Sequence, residues 1–436
     1  MEESTIKLLE SYGKYVFTLD ISNKNIEGLL DLEGFDNLTR LDCSHNQITE
    51  IINIPASLKY FDCSYNQIET IIEIDENLDY FNCKKNPIIE LYYPFDIKPK
   101  SYPKTLQVLY FGHIFNQPVD NLPKFLTDLR FITFFNQPVD NLPEKLKTLE
   151  FGTNFNKPVD NLPNSVTKII FGYAFNQPVD NLPESLTHLS FGDLFNQPVN
   201  NLPNKLTFID FDTKFNQPVD NLPNSVKEIL FRCDFNQPVN NLPSSLVKLK
   251  IMGDNFNQPV DNLPKNLTYL EFDNNFNQPV DNLPENLTFL EFGNNFNKPV
   301  DKLPNTITTL GFGNNFNQSI DNLPNGLKKL FLGSKFTKSI NNIPNSIEHL
   351  IVYENEYYKD GKEHILERVR FLEFLDDYNE QIDEYPKNLN YLVLNPNYSK
   401  QINNLPDSII QVRICNLEQK YLVNEKYHGL VVLSND

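Results

Sequence analysis

Apolar and polar side chains alternate over short stretches, and these stretches return at a constant interval along most of the chain. Within residues 126–131, Leu129 and Phe131 alternate with Asp128 and Arg130. A period of two places one pair on the inner face of a β-strand and the other pair on its outer face. The pattern therefore predicts a short, half-buried strand in each interval.

The segment after each strand carries the signs of extended backbone. Beyond a turn, Phe135 and Val139 supply apolar side chains for the core, and Pro138 and Pro143 stand five residues apart. Prolines at this spacing forbid a helix and favour polyproline-like backbone. An interval of 20 residues is also too short for a strand and a full helix. We therefore expect a return segment with little helix.

The sequence Phe-Asn-Gln-Pro-Val-Asp-Asn-Leu-Pro begins at Phe115 and recurs with few changes. A fixed period of about 20 to 29 residues is typical of leucine-rich-repeat solenoids. The step is 20 residues, with one step of 21 residues into Phe256. The recurring phenylalanines are Phe115, Phe135, Phe155, Phe175, Phe195, Phe215, Phe235, Phe256, Phe276, Phe296, Phe316 and Phe336.

The first part of the chain repeats a plainer pattern with the same period. The pattern Leu-x-x-Leu-x-Cys-x-x-Asn-x-Ile begins at Leu38 and returns, with Phe in second place, from Leu58 and from Leu78. This is the leucine-rich-repeat pattern with Cys in the third leucine position. We predict a leucine-rich-repeat-like solenoid of about 20 short parallel strands on the concave side, with a mostly extended, polyproline-like convex side and little helix.

The changes in pattern divide this single continuous solenoid into segments. Terminal repeats must cover the open ends of the core, so irregular caps are expected at both ends. The predicted segments are an N-terminal cap with a first degenerate repeat (1–30), plain leucine-rich repeats (31–91), an insertion (92–105), Phe-Asn-x-Pro repeats (106–347), degenerate repeats with a short helical insertion (348–412) and a C-terminal cap (413–436).

The Phe-Asn-x-Pro-Val/Ile unit that ends in Leu-Pro resembles the FNIP repeat family, whose members occur in amoebal and giant-virus proteins. The resemblance is strong over residues 106–347 and weak over 368–412. It implies a leucine-rich-repeat-like fold and a role in protein interaction. Some members carry an N-terminal F-box, which links them to ubiquitin ligases. The segment before Leu19 is too short for an F-box.

The charge of the chain narrows the classes of partner. A net charge of −19 argues against nucleic acid, because phosphate binding requires clustered Lys and Arg. A basic partner would be attracted, although the same charge can also serve solubility alone. The N-terminus is acidic and lacks the apolar segment of a signal peptide. We expect an intracellular, cytoplasmic protein (host cytoplasm if viral) with no membrane association.

Candidate chemistry is sparse. The six histidines are scattered and no catalytic or nucleotide-binding motif occurs, so we expect no enzyme activity, no catalytic residues and no cofactor. Asp120 and its counterparts supply one carboxylate per turn, whereas Ca²⁺ requires six to eight oxygens, so no metal site is expected. Cys43, Cys63 and Cys83 share one inward position. We expect them to pack as free thiols in a reducing compartment.

Two ladders of identical residues are predicted to be structural. Stacked phenylalanine rings should fill the core, beginning with Phe115, Phe135 and Phe155. An asparagine amide in each turn should donate to a buried loop carbonyl and accept from a backbone N–H. These asparagines include Asn116, Asn136, Asn156, Asn176, Asn196, Asn216 and Asn236.

The outward strand positions differ from turn to turn, whereas the Phe-Asn segments hardly change. Large apolar groups at outward positions have no core to enter, and aromatic anchors dominate protein interfaces. We predict a protein-interaction scaffold whose partner binds the concave sheet, in a host or ubiquitin pathway if the resemblance applies. The predicted contact residues are Tyr110, Arg130, Ile170, Phe208, Leu230, Tyr269, Glu271, Phe289, Glu291 and Phe331.

Three alternatives to partner binding remain at this point. The variation could be drift on an unused surface. The protein could be a structural or self-assembling repeat, either as a monomer or as a homo-oligomer that associates through its terminal or convex surfaces. A carbohydrate-binding module would need exposed aromatic rings beside acids, and Tyr269 with Glu271 and Phe289 with Glu291 supply that combination.

Overall fold

The computed structural model describes residues 3–71, 78–83, 85–88, 90–93, 102, 104–232, 234–340, 342–352, 369–374, 379, 381–382 and 385–434. The chain divides into two compact units, Met1–Asp212 and Thr213–Asp436, and each is described by itself. Most of the predicted insertion at 92–105 lies outside the described residues, as does the predicted helical insertion between residues 353 and 368.

Each Phe-Asn turn consists of a bend, a short strand and an extended return segment. In a representative turn the amide N–H of Leu126 donates to the carbonyl of Pro123 at 3.1 Å, and the strand Asp128–Phe131 follows. Leu129 and Phe131 are buried, whereas the two alternate residues are half-buried. The recurring Leu-Pro pair therefore marks the entry to the bend before each strand.

The described part of the unit Met1–Asp212 contains one helix and fourteen strands. The helix α1 spans Glu3–Tyr12. The strands are β1 (Thr18–Asp20), β2 (Glu27–Asp31), β3 (Arg40–Asp42), β4 (Gln47–Ile52), β5 (Tyr60–Asp62), β6 (Thr70–Ile71), β7 (Tyr80–Asn82), β8 (Glu90–Tyr93), β9 (Val108–Phe111), β10 (Asp128–Phe131), β11 (Thr148–Glu150), β12 (Lys168–Ile170), β13 (His188–Ser190) and β14 (Phe208–Phe211).

These strands form three parallel sheets, whereas the sequence predicted parallel strands on the concave side alone. Strands β1, β3, β5 and β7 form the first sheet, β2 and β4 the second, and β6 with β8–β14 the third. Strand β8 pairs with β9, so that Leu91 lies opposite Leu109 and Tyr93 opposite Phe111. Leu91 and Tyr93 are buried. Each plain repeat contains two strands. The sheet of the Phe-Asn turns continues from the second of these, which is β8 in the last plain repeat.

In the unit Thr213–Asp436, eleven described strands form one parallel sheet in sequence order. Two 3-10 helices, Leu417–Leu422 and Glu425–Leu430, precede the last strand. The strands are β15 (Glu228–Phe231), β16 (Lys248–Ile251), β17 (Tyr269–Phe272), β18 (Phe289–Glu291), β19 (Thr309–Gly311), β20 (Lys329–Leu332), β21 (His349–Val352), β22 (Phe371–Phe374), β23 (Tyr391–Val393), β24 (Gln411–Ile414) and β25 (Val431–Leu433). The predicted parallel-strand solenoid with little helix is confirmed.

Phenylalanine rings fill the core of the Phe-Asn turns in two parallel columns. Within one turn the centroids of Phe131 and Phe135 lie 3.6 Å apart with an angle of 9° between the rings. Between successive turns the centroids of Phe135 and Phe155 lie 6.0 Å apart at 5°. Tyr93 meets the first ring, Phe111, edge-on at 6.0 Å. The predicted phenylalanine ladder is confirmed, and Phe115, Phe135 and Phe155 are all buried.

Candidate functional site

In each unit the outward side chains of the strands form a surface, and we use the name outer sheet face for this surface in either unit. It consists of the first and third residues of each strand in a Phe-Asn turn, such as Asp128 and Arg130. Most of these side chains are half-buried, because strands about 4.8 Å apart bring neighbouring side chains into contact. All ten residues predicted to contact a partner lie on this face.

In the unit Met1–Asp212, three of the predicted residues line one cavity of about 430 Å³, namely Tyr110, Arg130 and Ile170. The Arg130 guanidinium lies 5.1 Å from the centroid of the Tyr110 ring. Its Nε also pairs with a Glu150 carboxylate oxygen at 3.4 Å. The two charged residues that line this cavity, Arg130 and Glu150, therefore balance one another. Phe208 lies farther along the face, 5.9 Å from the His188 ring.

In the unit Thr213–Asp436, Tyr269 and Phe289 form a stacked pair. Their ring centroids lie 4.1 Å apart and the rings are within 3° of parallel. The Tyr269 hydroxyl donates to a Glu271 carboxylate oxygen at 2.6 Å, and burial is the main reason why the pKa of Tyr269 is raised. Lys250 pairs with Glu271 at 2.7 Å. The two strands thus carry a connected aromatic and acidic cluster.

A second cavity, of about 390 Å³, adjoins this cluster and is lined by Glu271, Glu291 and Phe331 among others. Gly311 stands between Glu291 and Phe331 in the third strand position. Partial burial raises the pKa of the Glu291 carboxyl, and the nearby Glu271 carboxylate adds to this effect against the opposing charge of Lys250. Leu230, the remaining predicted residue, is half-buried elsewhere on the face.

Two aromatic clusters on outward positions were missed from the sequence. In the first sheet the Arg40 guanidinium lies 3.5 Å from the Tyr60 ring centroid, and Tyr60 stacks on Tyr80 at 4.3 Å. In the other unit His349 stacks on Phe371 at 4.6 Å. The plain and the degenerate repeats align with the Phe-Asn turns through inward residues such as Leu41 and Leu372, so the same comparison of outward positions would have found both clusters.

The seven predicted asparagines are half-buried rather than buried. The Oδ1 atom of Asn116 accepts the backbone N–H of Asn136 at 2.9 Å, and that of Asn136 accepts the N–H of Asn156 at 3.0 Å. The same bond follows Asn156, Asn176, Asn216 and Asn236, at distances of 2.9 to 3.1 Å. Each of these asparagines therefore joins its own turn to the next through its side-chain oxygen.

The recurring aspartates also bond to the neighbouring turn. Asp140 accepts from the Asn161 amide, and Asp160 accepts from the Asn181 amide, each at 3.0 Å. In the described part of the chain, no three His, Cys, Asp or Glu side chains form a group that could hold a metal ion. Every helix in that part is too short or too polar to cross a lipid bilayer.

Four of the cysteines are described, and all four are free thiols. Cys43, Cys63 and Cys83 are buried in the plain repeats, and Cys415 is exposed. Burial raises the pKa of Cys43 and Cys63 well above the usual range and raises the pKa of Cys83 to about 12. The three buried thiols are therefore protonated and pack as small apolar groups.

Comparison with known families and structures adds to this geometry. The family model described as FNIP Repeat matches ten overlapping segments that run from residue 135 to residue 354. No curated protein matches the chain. The crystal structure of CroV588, described as a novel circular LRR protein structure, is 28% identical with a TM-score of 0.52, over 92% of this chain and 81% of that chain. This similarity supports the leucine-rich-repeat-like fold.

Two other solved structures are more distant. YopM from Yersinia enterocolitica WA-314 is 19% identical with a TM-score of 0.45, over 93% of this chain and 92% of that chain. The mouse RP105/MD-1 complex contains a chain that is 12% identical with a TM-score of 0.47, over 96% of each chain.

Proposed function

The chain belongs to the FNIP repeat family, and from this premise we propose that it is a non-enzymatic scaffold whose outer sheet face binds a protein partner. The turns contain two kinds of position. The core positions and the segments that begin with Phe-Asn carry similar residues in most Phe-Asn turns, whereas outward strand positions change from turn to turn. Repeat proteins bind partners on surfaces of this kind, where side chains can vary without changing the scaffold.

The stacked pair of Tyr269 and Phe289 is the observation that supports this proposal most directly. Both rings lie on outward strand positions, where they are half-buried and stack on one another. Glu271 and Glu291 stand beside them at the third strand positions. Aromatic side chains at the centre of a mixed polar surface are typical anchors of protein interfaces. A folded protein or an extended peptide would satisfy this surface.

The same pair disfavours the carbohydrate-binding alternative. A sugar ring packs on an open aromatic face, whereas the facing surfaces of Tyr269 and Phe289 cover one another at 4.1 Å. The ammonium groups of Lys248 and Lys250 lie 5.4 and 5.2 Å from the Tyr269 ring centroid. The rings are thus engaged with other side chains of the protein.

We place this activity in the cytoplasm. Three buried cysteines of one column, Cys43, Cys63 and Cys83, are free thiols. Free thiols persist in reducing compartments, whereas secreted proteins usually pair their cysteines. The family resemblance favours a partner from a host or ubiquitin pathway.

Affinity capture followed by mass spectrometry tests the proposed function. The wild type is compared with a variant carrying Phe208→Ser, Tyr269→Ser and Phe289→Ser, after circular dichroism has shown that both are folded. The matched control is Phe134→Ser, because Phe134 is an exposed aromatic residue outside the strand positions. We expect a partner that the control retains and the triple variant loses. Retention by both variants would contradict binding on the outer sheet face.

Self-association is tested with the same proteins by analytical ultracentrifugation. A sedimentation coefficient that rises with concentration in the wild type and in the triple variant alike would assign assembly to the terminal or convex surfaces. If the coefficient is constant for the wild type, the protein is a monomer over the range tested.

A further inference from the structure

The cavity in the unit Thr213–Asp436 exists because one side chain is missing from a column. Glu291, Gly311 and Phe331 occupy the third strand position in three successive strands and lie directly opposite one another. The two outer residues carry long side chains, and Gly311 carries none. The gap between a carboxylate and an aromatic ring opens into the cavity of about 390 Å³. We call it the Gly311 cavity.

Close packing of the backbone forms one wall of the Gly311 cavity. Gly293 and Gly313 line it, and a Cβ on either residue would overlap backbone atoms of the preceding turn. Only glycine permits this approach, since any side chain would push the turns apart. This wall is therefore a fixed feature of the repeat packing. Buried Phe292 and Phe312 also line the cavity.

The carboxylates at the Gly311 cavity differ in whether other side chains engage them. Glu271 is engaged by the Tyr269 hydroxyl at 2.6 Å and by Lys250 at 2.7 Å. Among the described residues, by contrast, Glu291 forms no hydrogen bond, and its side chain leans over Gly311, with Cγ 3.1 Å from the position that a Cβ there would take. Asp273 lines the same cavity. The cavity therefore presents a surplus of negative charge and a free carboxylate.

We propose that the Gly311 cavity binds an arginine side chain of the protein partner, with its guanidinium between the Glu291 carboxylate and the Phe331 ring. This inference rests on the proposed function and names the chemistry that the outer sheet face recognises. A guanidinium is planar, pairs with a carboxylate through two parallel N–H···O bonds and stacks on aromatic faces. Its positive charge complements both the cavity and the net charge of −19.

The cavity favours arginine over other cations. A calcium ion requires six to eight oxygen ligands around one point, and among the described residues Glu271, Asp273 and Glu291 do not converge into a group that could hold a metal ion. A lysine ammonium would gain the ion pair but lacks the planar group that can also stack on Phe331. The unit Met1–Asp212 provides an internal comparison, because the cavity there already holds Arg130 against Glu150 and Tyr110.

Methionine provides a direct probe of the Gly311 cavity. The chain contains two methionines, Met1 and Met252, and Met252 lines the cavity. A protein labelled with ¹³C at the methionine methyl groups is titrated, at physiological salt, with the capped peptide Gly-Ser-Gly-Ser-Arg-Ser-Gly-Ser-Gly. The control peptide replaces arginine with citrulline, which has nearly the same shape but no charge.

We expect the arginine peptide to shift the Met252 signal and not the Met1 signal. Its affinity should exceed that of the citrulline peptide by about ten-fold or more. Gly311→Leu fills the gap and Glu291→Gln removes the charge, so each should weaken binding by about ten-fold. Gly326→Ala and Glu285→Gln are matched controls, because Gly326 has space for a Cβ and Glu285 is an exposed residue outside the cavity. Both should bind as the wild type does.

Equal affinity for the two peptides would overturn the proposal, as would undiminished binding to Gly311→Leu or the absence of any shift of the Met252 signal. The failure of this inference can be distinguished from the failure of the proposed function. A captured partner that Gly311→Leu and Glu291→Gln retain, but the triple serine variant loses, would leave the outer sheet face as the binding surface and remove arginine as its ligand. Loss of the partner from all three variants would support both the proposed function and the arginine site.

Discussion

Two regions of the unit Met1–Asp212 have the same 20-residue period and fill their interiors differently. In the plain repeats, Asn66 is 3% exposed. Its Nδ2 donates to the carbonyls of Cys43 and Cys63 at 3.0 and 3.1 Å, and its Oδ1 accepts from the Ile48 N–H at 2.9 Å. A buried polar side chain thus bonds within its own turn, to Cys63, and to the preceding turn, at Cys43 and Ile48.

In the Phe-Asn turns the corresponding volume holds rings. Phe171 and Phe175 stack at 3.7 Å, and Asn176 lies half-buried beside them. Its Oδ1 accepts from the Asn196 N–H at 2.9 Å and from the Gln197 Nε2 at 3.1 Å. A paired aromatic filling therefore replaces the buried amide network, and the asparagine joins its turn to the next from a half-buried position. The period of a solenoid does not fix what occupies its interior.

The largest test of this comparison removes a ring. Phe175→Ala should destabilise the protein by about 3–5 kcal/mol, because a buried phenylalanine leaves a cavity that its neighbours only partly fill. Cys63→Ala removes a single sulfur atom from the plain repeats and should cost about 1 kcal/mol. Urea denaturation monitored by circular dichroism measures both. Equal losses would show that the rings do not dominate the core of the Phe-Asn turns.

The next test removes one amide from each region. Asn66→Ala leaves buried carbonyls and a buried N–H without a partner, at a cost of about 2–3 kcal/mol. Asn176→Ala exposes the Asn196 N–H at a half-buried site that water can reach, so its cost should be about 1 kcal/mol. Urea denaturation of each variant, compared with the wild type by its midpoint, measures the two losses of stability. A larger loss of stability for Asn176→Ala than for Asn66→Ala would show that the half-buried ladder contributes more to stability than the buried one.

A third test concerns the close backbone packing at glycines of the Phe-Asn turns. A Cβ on Gly172 would overlap the carbonyl group of Gly152, so Gly172→Ala should cost about 1–3 kcal/mol through overpacking. The corresponding residue of a plain repeat, Ser64, instead donates its hydroxyl to Asp62 at 2.6 Å. Gly326→Ala, where a Cβ has space, is the control and should leave the thermal midpoint unchanged. A neutral Gly172→Ala would show that the turns can move apart freely.

The smallest expected effect concerns the reactivity of two cysteines rather than the stability of the protein. Burial raises the pKa of the Cys63 thiol well above the usual range, so little of the reactive thiolate forms as the pH rises towards 8. Cys415 is exposed. Maleimide labelling of the native protein at neutral to mildly alkaline pH, followed by peptide mass spectrometry, should modify Cys415 well before Cys63. Labelling of Cys63 at a similar rate would mean that the plain repeats open readily.

The inward pattern of the strands was predictable because it depends only on local alternation, as at Leu129 and Phe131. The position of the asparagine ladder was harder to interpret. In the plain repeats Asn46 follows Cys43 by three residues, whereas Asn116 follows Phe111 by five residues. The two asparagines therefore occupy different places in the turn, which explains why one ladder is buried and the other half-buried.

The contacts on the outer sheet face were only partly predictable. Outward positions follow from the strand register, so Tyr269 and Phe289 could be placed side by side. The Gly311 cavity could not be foreseen in the same way, since it depends on how Glu291 and Phe331 extend their side chains around a residue that has none. In a comparison of the copies, Gly311 was only one of many variable residues.

The uniform spacing of the turns has a consequence for how the chain can change in length. Phe175 lies 6.1 Å from Phe155 and 6.0 Å from Phe195, and Asn156 and Asn176 make the same bond to the next turn at 3.0 and 2.9 Å. Each turn thus presents matching surfaces to both neighbours. Duplication or loss of a whole turn in the gene would create no mismatched junction, so whole rows of the outer sheet face can be gained, lost or reordered in single genetic events.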